Sequence, residues 1–340
     1  MSTGCGDSPG GDGSEATAAA GGDELPALHH THLNSQDPDA AVDAYLAIWP
    51  EGRRGTMAGY PAFVAEVPIL FTRVDGPPPG GWDHELQRAA PQSPFWHLGG
   101  FRNTTGLFQR LEQSGVEVLP LWTGPDDRTG VRRSGWTPYE GIRTEATLDT
   151  ATAAEPRPGG FGYVVGPDGA LVELVGGPDT DPSFSHVHLY HEEPACAAAW
   201  YVEHLGMELP PGRDEAGEPV PGELPTPCDG VERGAPGWPS LEHAGTLRAP
   251  NARVVFSGGS ISIYPRQCVQ GRCGEDRPLV PSRGQVLDHV AFRVSDLDVR
   301  VRALRDAAVE ILEEPYPFEG GRAVLVRGPD GLSVELVELP

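Results

Sequence analysis

Histidine and glutamate are the residues of this 340-residue chain whose positions suggest chemistry. His30, His97, His186 and His289 each stand in a short apolar stretch with strand character, and Glu173 and Glu335 each stand at one point of a repeated motif. Neutral imidazole and carboxylate together suit Fe(II), Mn(II), Zn(II) or Ni(II). Two imidazoles and one carboxylate leave coordination positions open, as a catalytic metal needs. Chain order groups these residues as His30, His97 and Glu173, and then as His186, His289 and Glu335. Strand alternation puts His32 on the face of His30 and His188 on the face of His186. His32 and His188 are therefore candidate catalytic acid/base groups, since imidazole titrates near neutral pH, or fourth ligands. Gly99 and Ala291 hold the matching positions in the other strands, where their small size would leave room for a substrate. A lone strand histidine is more often a buried core residue hydrogen-bonded to its neighbours. Four at one repeated position, with two repeated glutamates, favour a metal.

The elements that must position these residues are read from internal repeats. Gly-Pro-Asp-Gly-Ala-Leu-Val-Glu-Leu-Val at 166–175 recurs as Gly-Pro-Asp-Gly-Leu-Ser-Val-Glu-Leu-Val at 328–337, with eight of ten positions identical. Each copy predicts a strand, a Pro-Asp-Gly turn and a second strand. A histidine-bearing strand followed by an amphipathic helix and a further strand occurs four times: Leu28–Leu33, Phe95–Leu98, Phe184–Leu189 and Leu287–Phe292 open the four copies. Asp37 with Pro38 opens the first helix, Pro194 the third, and Ser295 with Asp298 forms a capping-box-like pair at the fourth. Gly115 closes the second helix in a left-handed conformation. Apolar spacings such as Leu107–Leu111 and Val301–Leu304 give these helices one face to pack on a sheet. Tyr45, Trp49, Trp200 and Tyr201 read as helix-to-sheet packing; His29, His204 and His243, which have no repeated partner, read as surface or structural.

The fold expected is α+β, with four βαβββ units paired in chain order into two tandem modules. Residues 1–24 form a disordered tail, 25–180 the first module and 181–340 the second. Insertions at 120–158 and 209–250 distinguish the modules and suit binding loops or lids.

Composition narrows the partners. Lys and Arg number 25 against 49 Asp and Glu, a net charge of −24 that repels nucleic-acid phosphates and anionic membranes. No apolar run approaches the length of a membrane span. The 45 glycines and 36 prolines point to many turns. There is no serine-hydrolase elbow, phosphate-binding loop or dinucleotide fingerprint. The five cysteines contain no Cys-x-x-Cys pair, and Cys268 and Cys273 are spaced for a small disulfide loop. As the chain begins, it reads as cytoplasmic. Ser-Thr-Gly-Cys at 2–5 also resembles the end of a bacterial lipoprotein signal, although Ser2 stands where such signals carry an aliphatic residue. A start further upstream would make Cys5 the anchor of a cell-envelope lipoprotein.

Leu287–Asp296, Phe184–Leu189 and the two Gly-Pro-Asp-Gly hairpins resemble the vicinal oxygen chelate superfamily. It includes glyoxalase I, extradiol dioxygenases, methylmalonyl-CoA epimerase, fosfomycin-resistance transferases and bleomycin-binding proteins. The resemblance covers about 28–340. It implies that paired units curl into a cup around one divalent metal, with ligands from the first and last strands of each unit. His30, His97, Glu173, His186, His289 and Glu335 match those places. The fourth place, near Ile69–Val74 and Ile261–Arg266, holds no acid or histidine, so the four-ligand glyoxalase I set is incomplete. The His/His/Glu order is similar to that of extradiol dioxygenases. The implied function is a metal-dependent enzyme acting on a small substrate with neighbouring oxygens, dioxygenase-like or glyoxalase/isomerase-like. Its cofactor would be a divalent ion, with Fe(II) slightly ahead of Zn, Ni or Mn. The alternative is a non-catalytic binding protein of the bleomycin-resistance type, which the acidity suits.

Overall fold

The computed structural model describes residues 24–86, 88–119, 160–224, 252–266 and 278–340. Cys5, Cys228, His243, Cys268 and Cys273, the tail to residue 23 and most of both insertions lie outside these residues.

Unit one comprises β1 (Ala27–Ser35), α1 (Pro38–Ile48), β2 (Arg53–Met57), β3 (Tyr60–Val64) and β4 (Ile69–Arg73). Unit two comprises β5 (Phe95–Phe101), α2 (Leu107–Gln113), β6 (Glu117–Leu119), β7 (Gly160–Val165) and β8 (Leu171–Gly176). Unit three comprises β9 (Ser183–His191), α3 (Pro194–Trp200), β10 (Ala252–Phe256) and β11 (Gly259–Pro265). Unit four comprises β12 (Leu287–Arg293), α4 (Leu297–Asp306), β13 (Ile311–Phe318), β14 (Gly321–Arg327) and β15 (Ser333–Glu338).

Local signals explain the helix ends. The Asp37 carboxylate accepts from the Ala40 amide, with Pro38 in the first turn. At α4 the cap is Asp296, which accepts from the Val299 amide; the expected Ser295–Asp298 pair is displaced by one residue because the better acceptor stands one position on. Gly115 has φ 85° beyond α2, as expected of a helix stop. Both hairpin turns place consecutive Asp and Gly at positive φ, 54° and 83° at Asp168–Gly169 and 52° and 84° at Asp330–Gly331, which is why the motif needs that pair. Cys196 in α3 is disulfide-bonded.

The sheets depart from chain-order pairing. The eight-stranded sheet runs β13-β14-β15-β12-β1-β4-β3-β2, so it joins unit four to unit one. The seven-stranded sheet runs β10-β11-β9-β5-β8-β7-β6 and joins unit three to unit two. The division into 25–180 and 181–340 therefore does not follow the sheets, each of which takes strands from both halves. The physical reason lies in the repeat itself. All four first strands present equivalent edges, so either pairing satisfies the backbone, and the linkers and packing choose between them.

The two joints share one register. β1 runs antiparallel to β12 with His32 opposite His289, and β9 runs antiparallel to β5 with His188 opposite His97. One hydrophobic core serves both sheets, including Tyr45, Phe63, Phe71 and Trp49 from unit one and Phe184 from unit three. The Phe184 ring lies 5.6 Å from Phe63 and 5.4 Å from Trp49. Tyr45, Trp49 and Tyr201 are buried as expected, and Trp200 packs against the same core. Each hairpin turn also reaches the other sheet: Asp330 accepts from His191 Nδ1 and from the Glu192 amide, both at 2.9 Å.

Candidate metal centres

Residues opposite one another across adjacent strands project to one face of a sheet. In the larger sheet, Ala291 stands between His30 on one side and Glu335 on the other. In the smaller sheet, Gly99 stands between His186 and Glu173. Strands two apart are separated by roughly 10 Å, so histidine and glutamate meet only by leaning over the strand between them. A glycine or alanine there permits it. A Cβ on Gly99 would stand 1.9 Å from His186 Nε2, so the space expected for a substrate is occupied by a candidate ligand.

The grouping expected from chain order is corrected accordingly. His30 faces His289 and Glu335, not His97 and Glu173; His186 faces His97 and Glu173, not His289 and Glu335. Ligand atoms of His30, His32 and His289 lie within 4.8 Å of one another in the first centre, as do those of His97, Glu173, His186 and His188 in the second. The six expected ligands thus fall into two clusters, with His32 and His188 beside them.

In the first centre, His30 Nε2 and Glu335 Oε2 approach to 3.0 Å without hydrogen-bond geometry. His289 Nε2 lies 3.9 Å from the same oxygen. All three atoms are buried without a hydrogen-bond partner. Their outer atoms are engaged: His30 Nδ1 meets His29 Nδ1 at 2.8 Å, His289 Nδ1 meets the Asp288 carboxylate at 2.7 Å, and Glu335 Oε1 accepts from the Tyr316 hydroxyl. Buried polar atoms outside hydrogen-bond geometry are costly, and three gathered at one place offer a donor set to a cation. The donor set of two imidazoles and a carboxylate fits a divalent ion. His32 Nε2 is held by the Thr72 hydroxyl at 2.8 Å, from β4, where the resemblance puts a fourth ligand. A cavity of about 470 Å³ opens onto His32, His289, Glu335, Tyr60, Tyr316 and Arg283.

In the second centre, Glu173 Oε2 accepts from His97 Nε2 at 3.2 Å and His186 Nε2 at 3.1 Å, with His188 Nδ1 at 3.6 Å. Aromatic rings surround the cluster, Phe101 at 4.8 Å from His186 and Tyr264 at 5.5 Å from His188. The four donors fit the same class of ion.

Electrostatics keeps both centres ready for a cation. Burial pushes the His30, His32, His97 and His188 imidazoles down, so they stay neutral donors at neutral pH. His29 is pushed down to about 4 by burial and by His30. Burial works against ionisation of Glu173 and Glu335, but the imidazole contacts prevail and hold both carboxyls below their ordinary range. Asp288 is likewise held low against its burial, by His289, the Gly284 amide and Arg283. Sequence reasoning missed Tyr316, Thr72 and Asp288, and read His29 as surface or structural. Asp288 was legible as an acid beside a candidate ligand; no motif singled out Tyr316 or Thr72.

Comparison with known proteins agrees with this architecture. Residues 183–336 match the family model described as Glyoxalase/Bleomycin resistance protein/Dioxygenase superfamily. The fold is similar to that of glyoxalase I from Zea mays, at 14% identity, with 92% of each chain covered and a TM-score of 0.51. It is also similar to a Bacillus subtilis protein provisionally assigned as a dioxygenase, at 12% identity, covering 94% of this chain and 87% of that one with a TM-score of 0.53. No curated protein sequence matches the chain. The family match covers residues 183–336, under half of the chain, and the similarity to glyoxalase I extends the shared fold over 92% of it. No helix among the described residues is long and apolar enough to cross a membrane.

Proposed function

We propose that the protein is a divalent-metal-dependent enzyme that acts on a small molecule with two neighbouring oxygens at the first centre. One observation carries this reading: three buried ligand atoms, on His30, His289 and Glu335, converge outside hydrogen-bond geometry beside a cavity of about 470 Å³. That volume suits a small-molecule substrate. A divalent ion held by these three residues would supply Lewis-acid polarisation to both substrate oxygens. His32 reaches the same cavity from the ligand-bearing strand, and the Thr72 hydroxyl fixes its ring. Its proposed role is to take up or return a proton. Tyr60 and Phe318 line the same cavity.

The His/His/Glu set without a fourth protein carboxylate favours dioxygenase chemistry with Fe(II) over isomerisation or lysis with Ni(II) or Zn(II). Protein reconstituted with Fe(II), and separately with Ni(II) or Zn(II), distinguishes them through oxygen uptake on catechols and isomerisation of hemithioacetals. Oxygen uptake that is abolished in His32→Ala and Glu335→Gln supports the reading. Turnover of hemithioacetals alone rejects the dioxygenase. Metal uptake with turnover of neither class leaves a binding protein, and no metal uptake rejects the enzyme altogether.

A further inference from the structure

We propose that the two centres are unequal: the first binds its cation more tightly, and Asp288 and Tyr316 are the positioning residues that make it so. The inference rests on the reading of both clusters as metal centres. An imidazole that ligates through Nε2 must carry its proton on Nδ1, and a buried N–H needs an acceptor. In the first centre the acceptors exist. The Asp288 carboxylate faces His289 Nδ1 at 2.7 Å and His29 Nδ1 faces His30 Nδ1 at 2.8 Å. The Tyr316 hydroxyl occupies Glu335 Oε1 and leaves Oε2 to the cation. A carboxylate on the outer nitrogen fixes the tautomer and strengthens the inner nitrogen as a donor.

The second centre has the reverse arrangement. His97 and His186 direct Nε2 at Glu173, while Nδ1 of each is buried without a partner. Loading a cation there breaks two hydrogen bonds and moves two protons onto nitrogens that have no acceptor among the described residues. Trp96 precedes His97 where Asp288 precedes His289, and its indole cannot accept that proton. The second centre thus offers four donors, but its metal-free state is self-satisfied and its ligated state is not.

Asp288 also holds its own loop, accepting from the Gly284 amide at 2.6 Å and from Asn34 at 3.1 Å, so two substitutions are needed to separate positioning from folding. Tyr316→Phe removes one hydroxyl only, and Asp288→Asn keeps the shape of the side chain. The test is a Co(II) titration of the metal-stripped full chain, followed by calorimetry and visible absorption. Two steps are expected. Glu335→Gln should remove the tight step and Glu173→Gln the weak one. Asp288→Asn and Tyr316→Phe should each weaken the tight step by about 10–100-fold and leave the weak step in place, with Asp288→Ala weaker than Asp288→Asn. Two steps of equal affinity, a tight step lost in Glu173→Gln, or a tight step that neither Asp288→Asn nor Tyr316→Phe shifts would overturn the inference while leaving the metal enzyme standing. No Co(II) uptake at either centre would overturn both.

Discussion

Gly99 lies under His186: a Cβ on Gly99 would stand 1.9 Å from Nε2 of that imidazole. Gly99 therefore controls whether His186 can cross β5 to reach Glu173. Gly99→Ala is expected to displace His186, to cost about 1–3 kcal/mol through overpacking, and to abolish metal uptake at the second centre alone. Metal stoichiometry and denaturant unfolding of the same sample check this. Unchanged stoichiometry would mean that His186 is not a ligand.

Ala291 plays the corresponding part between His30 and Glu335 and is fully buried. Ala291→Val is expected to cost about 1–3 kcal/mol and to remove the first centre's cation and any turnover, with the second centre unaffected. Retained turnover would place the chemistry elsewhere.

Tyr45 in α1 and Tyr201, directly after α3, each stand seven residues beyond a helix-opening proline but differ in their hydroxyls. Tyr201 pairs with buried His191 Nε2 at 2.8 Å, whereas the buried Tyr45 hydroxyl has no hydrogen-bond partner. Tyr201→Phe is expected to destabilise the fold by about 1–3 kcal/mol, because it leaves a buried imidazole nitrogen unpaired. Tyr45→Phe should be neutral or stabilising by up to about 1 kcal/mol. Equal effects in urea unfolding would contradict this contrast.

The metal-free protein should lose stability on mild acidification. His30 and His97 are buried imidazoles pushed below their ordinary value of 6.5, so the unfolded chain binds protons there first. Their contribution is fully present above pH 6.5 and declines as pH falls towards the folded-state values. Each contributes up to about 1.4 kcal/mol per pH unit below that point. Denaturation midpoints of chelator-treated protein at pH 8, 6.5 and 5 should be level over the first interval and fall over the second. A flat profile to pH 5 would show that these imidazoles are charged in the fold.

Much of this protein was legible along the chain because its signals are local. Strand alternation places His30 with His32 and His186 with His188, and the Asp-Gly pairs dictate the hairpins that carry Glu173 and Glu335. Those rules pointed to the six residues that the fold gathers into two clusters and to the repeated units, of which unit three shows one main-sheet strand fewer among the described residues. Which ligands share a cation was decided by tertiary structure alone. β1 could pair with β5 or β12 through equivalent backbone edges, and its pairing with β12 brings His30 to His289 and Glu335, residues far from it in the chain. The outer partners were decided in the same way. Tyr316 meets Glu335, and Thr72 meets His32, across strands whose register no local signal encodes. Backbone hydrogen bonding is indifferent to which unit supplies the neighbouring strand, so only the packed whole could choose.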